Sequence, residues 1–288
     1  MFRTHFLNVG KGNCTVISFP SNRLSIVDID NSHIDDDNDV LTDPIDFLNG
    51  EYPNKEIFRF ILTHPDLDHM SGLNELFKRT VYNFWDTQHD KKLDPKKDDF
   101  AKYDPKDWDR YLKVQKSQEK PTYLKLYRDA TADCCWVADN IKILSPSKKL
   151  VDLSQETEEG NSDKYNHLSY VLRIEYQGIV IILGGDASKA AWDDIYDHYR
   201  AKNDLGILEA NVFLAPHHGS PNSVNESVFK YIKPEYVVVS VLRGVKYDYS
   251  YYNTLASKQV YSTKNHGNIT IEITDKGEGK IYPEKNGS

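Results

Sequence analysis

The sequence predicts an α+β protein built from two mixed sheets with helices outside each. Three observations point there. Strand-type and helix-type patterns come in two successive runs, strands then helix early in the chain and strands then helices after residue 140. The 288-residue length suffices for one large layered domain with a substantial core. No period of roughly 20–50 residues repeats, which excludes a solenoid or propeller.

Taken in order, residues 2–8, 13–19 and 23–29 alternate as three short strands, punctuated by Gly10-Lys11-Gly12 and Pro20-Ser21-Asn22. The first turn lacks the third glycine of a dinucleotide fingerprint and the Gly-Lys-Ser/Thr ending of a P-loop, so it reads as a plain turn. The acidic run Asp35-Asp36-Asp37-Asn38-Asp39 has neither the glycine nor the distal glutamate of a calcium loop and reads as a solvated loop. Asp43 caps a short helix over 44–48, with Pro44 in its first turn. A mostly apolar run at 57–63 reads as a buried strand, followed by a helix over 71–79. Residues 86–120 turn rich in Lys, Asp and Pro. They read as part of a polar flap inserted around 86–138 in a single domain spanning 1–288, with a helix over 107–116 carrying Trp108 and Tyr111.

Strands return at 140–144, 168–176 and 179–183. Ser188 then caps an amphipathic helix with Ala191, Trp192, Ile195, Tyr196 and Tyr199 on one face. A strand at 211–215, a helix over 223–232, a very apolar strand at 236–241, a helix over 254–259 and strands at 260–263 and 268–274 complete the expectation.

The formal charge of −8 argues against a surface that coats nucleic acid broadly, though not against a local phosphate groove. No stretch approaches the roughly 20 apolar residues of a membrane span. Met1-Phe2-Arg3-Thr4-His5 lacks the apolar segment of a secretory leader. Cys14 and the adjacent Cys134-Cys135 make no disulfide framework; buried structural thiols and a cytoplasmic location are expected.

Chemistry concentrates in His64-Pro65-Asp66-Leu67-Asp68-His69, two imidazoles and two carboxylates just past a buried strand. That mixture suits Zn²⁺, Mn²⁺ or Fe, and added carboxylates harden the site toward Mn²⁺ or Mg²⁺. Gly184-Gly185-Asp186 and Pro216-His217-His218-Gly219-Ser220 also follow apolar strands. Neighbouring histidines point in different directions, so one would ligate and the other act nearby. Sheets set strand ends side by side, and three ends finishing in metal-type residues predict one centre.

These motifs resemble the metallo-β-lactamase superfamily, in which His-x-His-x-Asp-His after a strand is followed by a bridging Asp and a further His. The soluble hydrolase branch related to the DNA-uptake channel protein ComEC/Rec2 is most similar, with Asp commonly at the second histidine position, here Asp66. The resemblance runs nearly the whole chain. It takes in Phe6-Leu7-Asn8-Val9-Gly10-Lys11-Gly12-Asn13, Val27-Asp28, the metal loop, Asn166-His167-Leu168-Ser169, Gly185-Asp186 and His217-His218-Gly219-Ser220. Ser240 and Tyr261-Ser262-Thr263 continue it toward Gly267.

The resemblance implies an αββα sandwich holding one or two divalent ions, Zn²⁺ or Mn²⁺. His64 and Asp66 would sit on one ion and Asp68 and His69 on the other, with Asp186 bridging and His217 completing the second site. His167 is the candidate for a further superfamily histidine. It or Asn166 would be a ligand, a support behind the ligands or a substrate contact. The branch's late Tyr-Gly-His is replaced by Lys246-Tyr247-Asp248-Tyr249, with Asp248 the candidate substitute.

The implied function is a metal-dependent hydrolase, first of all a phosphodiesterase or nuclease acting on DNA, RNA or a nucleotide. Divalent ions bring a water's pKa from 15.7 toward about 7, so a metal-activated hydroxide is expected, with Asp68 or Asp186 orienting it and His218 protonating the leaving alkoxide. Lys11, Lys189, Arg243 and Lys246 lie near expected site loops and would hold phosphates. Tyr247, Tyr249, Tyr251 and Tyr252 would either stack bases or simply pack. Two other readings stand beside this one: hydrolysis of a lactone, thioester or amide on the same metals, and a non-catalytic binding module.

Overall fold

Alternating apolar residues at the start of the chain pair as antiparallel neighbours, β1 (Phe2–Phe6), β2 (Thr15–Ser18) and β3 (Leu24–Val27). β4 (Ile57–Ile61), β5 (Val81–Asp86) and β6 (Thr122–Lys125) add in parallel beyond β3. A second sheet combines β7 (Ile141–Ser145), β8 (Val171–Tyr176), β9 (Ile179–Leu183), β10 (Val212–Leu214), β11 (Tyr236–Val239) and β12 (Gln259–Ser262), in the order β12-β11-β10-β9-β8-β7. The chain then returns to the first sheet, where β13 (Ile269–Ile273) pairs with β1 and β14 (Gly279–Pro283) forms the edge. This computed structural model describes residues 1–32, 40–94, 100, 102–131, 136–158, 160–161, 163–241 and 249–286. The acidic run at 35–39, Cys134-Cys135, Arg243, Lys246, Tyr247 and Asp248 lie outside the described residues.

Strand alternation sorts side chains into three apolar layers. Between the sheets, Ile17, Val27, Ile61 and Trp85 meet Leu172, Ile181, Leu183, Leu214 and Val238. The opposite faces of the same strands carry Ile26, Phe60 and Phe84 toward α1 (Pro44–Glu51), α2 (Leu73–Leu76) and α3 (Pro105–Gln115). On the far side, Ile182, Phe213 and Val237 pack under α4 (Lys148–Glu156) and α6 (Lys189–Ala201), which lie either side of the short α5 (Asp163–Asn166). Central strands covered on both faces read as continuous apolar runs, as β9 and β11 do. The outcome is the four-layer, helix–sheet–sheet–helix arrangement that was expected.

Several elements differ from expectation. The helix over 71–79 contracts to α2, because Gly72 is left-handed at φ +99° and the helix starts only after it. The helix expected over 223–232 contracts to α7 (Glu226–Phe229), preceded by a 3-10 turn at Pro221–Ser223. The helix over 254–259 lies earlier, as α8 (Ser250–Leu255), since Gln259 is already paired with Tyr236 in β12. The stretch read as a flap is built into the first sheet. It supplies edge strand β6 and α3, whose Trp108, Tyr111 and Val114 enter the outer core. No helix among the described residues is long and apolar enough to cross a membrane.

Candidate metal centre

β3∥β4 in one sheet and β9∥β10∥β11 in the other run their C-terminal ends to a common edge, where the Tyr170 N–H donates to the Thr63 carbonyl at 3.0 Å and joins the two sheets. The loops leaving those ends carry the polar residues: Asp28 after β3, His64 to His69 after β4, Asp186 after β9, His217 and His218 after β10.

At the meeting point, His69 Nε2 and His218 Nε2 each lie 3.4 Å from Asp186 Oδ2, and His217 Nε2 lies 3.9 Å from it. The ligand atoms of His64, His69 and Asp186 are all within 4.8 Å of one another, as are those of Asp68, His69 and His218. Supporting groups aim these side chains. Asp28 Oδ2 pairs with His69 Nδ1 at 2.8 Å while also accepting the Thr63 hydroxyl, and its Oδ1 accepts the Thr63 N–H. This bond turns His69 Nε2 toward Asp186, as metal-ligating histidines are commonly oriented. His218 Nδ1 donates to the Ser240 carbonyl at 3.2 Å, His217 Nδ1 pairs with Ser223 Oγ at 3.1 Å, and the Asn13 amide donates to Asp186 Oδ1 at 3.3 Å.

The backbone is bent to serve this cluster. His217 and His218 are both left-handed, at φ +50° and +56°, a conformation that bulky residues adopt at a cost and that concentrates at functional sites. A side chain at Gly12 would place its Cβ 2.1 Å from the Asp68 carbonyl oxygen, so only glycine lets the early turn press onto the metal loop. Gly185 is at φ +51°, with Ser169 Oγ 2.4 Å and the Tyr170 carbonyl 2.7 Å from where a Cβ would stand.

Burial opposes charge throughout, and facing partners decide the outcome. Asp186 is held well below the usual carboxylate range by His218 and His69. Burial pushes His69 and His218 down, but Asp186 outweighs it and raises both, with Asp28 adding to His69. In His217 burial prevails and the ring is lowered. Against burial, His64 and Lys91 hold Asp66 low, and His69 and Lys11 do the same for Asp68. Asp30, which accepts the Gly12 N–H at 2.9 Å, is pushed up to about 6 by its burial, with Asp68 adding to the rise.

His64 Nε2 and His69 Nε2 are buried and make no hydrogen bond to any described group. Buried polar atoms are normally satisfied, and two unsatisfied imidazole nitrogens beside carboxylates are what a cation would satisfy. Three imidazoles with two carboxylates suit a divalent ion such as Zn²⁺ or Mn²⁺, so the residues fit one.

The remaining sequence candidates divide, Lys11 reaching the metal loop and the others taking different partners. His167 Nδ1 is 2.7 Å from Ser188 Oγ, the cap of α6, and His167 belongs to neither cluster. The Asn166 carbonyl accepts the Ser169 and Ser188 N–H groups. Lys11 Nζ lies 3.2 Å from Asp68 Oδ2 and 3.4 Å from the Tyr103 hydroxyl. Lys189 opens α6. Tyr251 and Tyr252 pack in the outer core, which is the structural role open to them. Lys91, which no motif in the sequence singles out, pairs with Asp66 and sits 4.7 Å above the Tyr165 ring. The support from Asp28 was also missed, although its place at the end of an apolar strand was a usable signal.

No protein-family model matches the sequence, and no curated protein matches it. Solved structures do. The chain is similar to the metallo-β-lactamase fold protein YhfI from Bacillus subtilis, with a TM-score of 0.51 and 10% identity over 98% of this chain and 100% of that one. It is also similar to a variant of CmlA β-hydroxylase, with a TM-score of 0.56 and 10% identity over 94% of this chain and 54% of that one. The layering and these likenesses agree that the chain has the metallo-β-lactamase fold.

Proposed function

We propose that the protein is a metal-dependent hydrolase of phosphate diesters, in a nucleic acid or a nucleotide, working in the cytoplasm. The observation that carries the reading is the pair of buried, unsatisfied imidazole nitrogens on His64 and His69, gathered with Asp68, Asp186 and His218. A divalent ion held by those five residues would polarise a phosphoryl oxygen and bring the pKa of a neighbouring water toward about 7. The choice of phosphate rests on Lys11 and Lys91, cations set on either side of the metal loop against Asp68 and Asp66. They would hold the non-bridging oxygens of an anionic ester.

The other residues position and shuttle. Asp28 and Asn13 fix His69 and Asp186. The adjacent histidines exchange the roles read from sequence: His218, at the cluster, is the ligand, and His217 is placed to exchange a proton with the departing oxygen. The His217 side chain is 29% exposed against 11% for His218, which suits a group that must meet substrate.

Protein loaded with Mn²⁺ or Zn²⁺ should cleave bis(p-nitrophenyl) phosphate and at least one of single-stranded DNA, RNA or a cyclic dinucleotide. Chelation should stop the reaction, and His69→Ala should reduce it to background. Turnover of p-nitrophenyl acetate alone would move the reading to an acyl substrate. No turnover of any of them by loaded protein would end it.

A further inference from the structure

We propose that the centre holds one divalent ion per chain, with the Lys91 ammonium standing in for a second by neutralising Asp66. The inference rests on the metal part of the hydrolase reading and concerns how many ions these residues admit. Both ligand clusters, His64–His69–Asp186 and Asp68–His69–His218, need His69. Its Nδ1 is committed to Asp28 at 2.8 Å, which leaves Nε2 alone, and one imidazole nitrogen offers one lone pair. The two clusters therefore cannot each hold an ion.

A second ion would need a separate set of ligands, and among the described residues no set of three without His69 brings its ligand atoms together. Asp66 pairs with Lys91 through one oxygen and lies 3.4 Å from His64 Nε2 through the other. His167 is turned onto Ser188 at 2.7 Å. His217 reaches no closer than 3.9 Å to Asp186 Oδ2, with its other nitrogen on Ser223. Lys91 is also fixed in a way that Lys11 is not. Its side chain is 13% exposed and lies over Tyr165, whereas the Lys11 side chain is 53% exposed. An ammonium held on Asp66 repels a dication at the same carboxylate, since like charges at contact distance raise each other's energy.

The test is metal stoichiometry, which does not depend on turnover. Full-length protein is loaded with excess Mn²⁺, freed of unbound metal and analysed by elemental analysis. Titration calorimetry with Mn²⁺ then follows the second binding event. One ion per wild-type chain is expected. Lys91→Met keeps the aliphatic stem on Tyr165 and removes the charge, and should tighten a second ion by at least about tenfold. Lys91→Arg, which keeps the charge, should stay at one. Two tightly held ions in the wild type overturn the proposal, as does a second-ion affinity unchanged in Lys91→Met. A one-ion protein that hydrolyses nothing would sink the hydrolase reading and leave this inference standing, and a two-ion hydrolase would do the reverse.

Discussion

Asp28 touches no substrate position, yet at the scale of single residues the centre depends on it. Its carboxylate holds the His69 ring and both the N–H and the hydroxyl of Thr63, at 2.7–2.8 Å. Supports of this kind typically carry 10–100-fold of metal affinity. Asp28→Asn should weaken Mn²⁺ or Zn²⁺ binding by about that factor in competition with a chromophoric chelator. Unchanged affinity would mean that His69 is oriented by packing alone. Gly185 makes a complementary point about backbone. With φ at +51° and a neighbouring carbonyl 2.7 Å from a would-be Cβ, Gly185→Ala should lose more than about 1 kcal/mol of stability in urea denaturation. The metal loop was legible because its imidazoles and carboxylates are packed into one stretch of sequence. The supporting role of Asp28, itself marked by its place after an apolar strand, and the place of Lys91 were not, because they lie in pairings 41 and 25 residues away that only the fold creates.

Burial or a cap made some elements legible, though β5, central in the first sheet, and α4, capped by Ser147, went unread. Asp43 accepts from Ile45 N–H and Asp46 N–H at the start of α1, and Ser188 accepts from Ala191 N–H at the start of α6, as both side-chain types do when they cap a helix. Two further missed strands are of another kind. β6 is a four-residue edge with no buried side chain, and β14 is an edge strand carrying Lys280 and Pro283, so neither shows the apolar alternation that betrays a half-buried strand. Ser188 also links element to site, because its hydroxyl is the partner of His167. Ser188→Ala should cost about 0.5–2 kcal/mol by chemical denaturation, the range for a lost cap. It should leave metal stoichiometry unchanged, since His167 lies in neither ligand cluster; a loss of bound metal would bring His167 back as a ligand.

At the scale of the whole molecule, strands far apart in sequence meet in the first sheet, where β1 pairs antiparallel with β13. His5 sits in that seam. It is 4% exposed, its Nδ1 is 2.8 Å from Thr270 Oγ1 on β13 and its Nε2 is 2.9 Å from the Tyr52 hydroxyl beyond α1. Burial, with Arg3 nearby, lowers its pKa from 6.5 to about 4. The unfolded chain therefore binds the proton first as pH falls. The neutral ring's contribution is intact above pH 6.5, declines between 6.5 and about 4, and changes no further below. At 1.36 kcal/mol per pKa unit the loss amounts to about 3 kcal/mol. Asp30, pushed up to about 6, titrates within that range too, so the wild type alone does not isolate the effect. The difference between two proteins does: His5→Gln keeps a polar, uncharged side chain in the seam and removes this one titration. Urea denaturation at pH 7 and pH 4.5 should show the wild type losing about 2 kcal/mol more than His5→Gln across that interval. Equal losses would place the acid sensitivity of this seam on other groups.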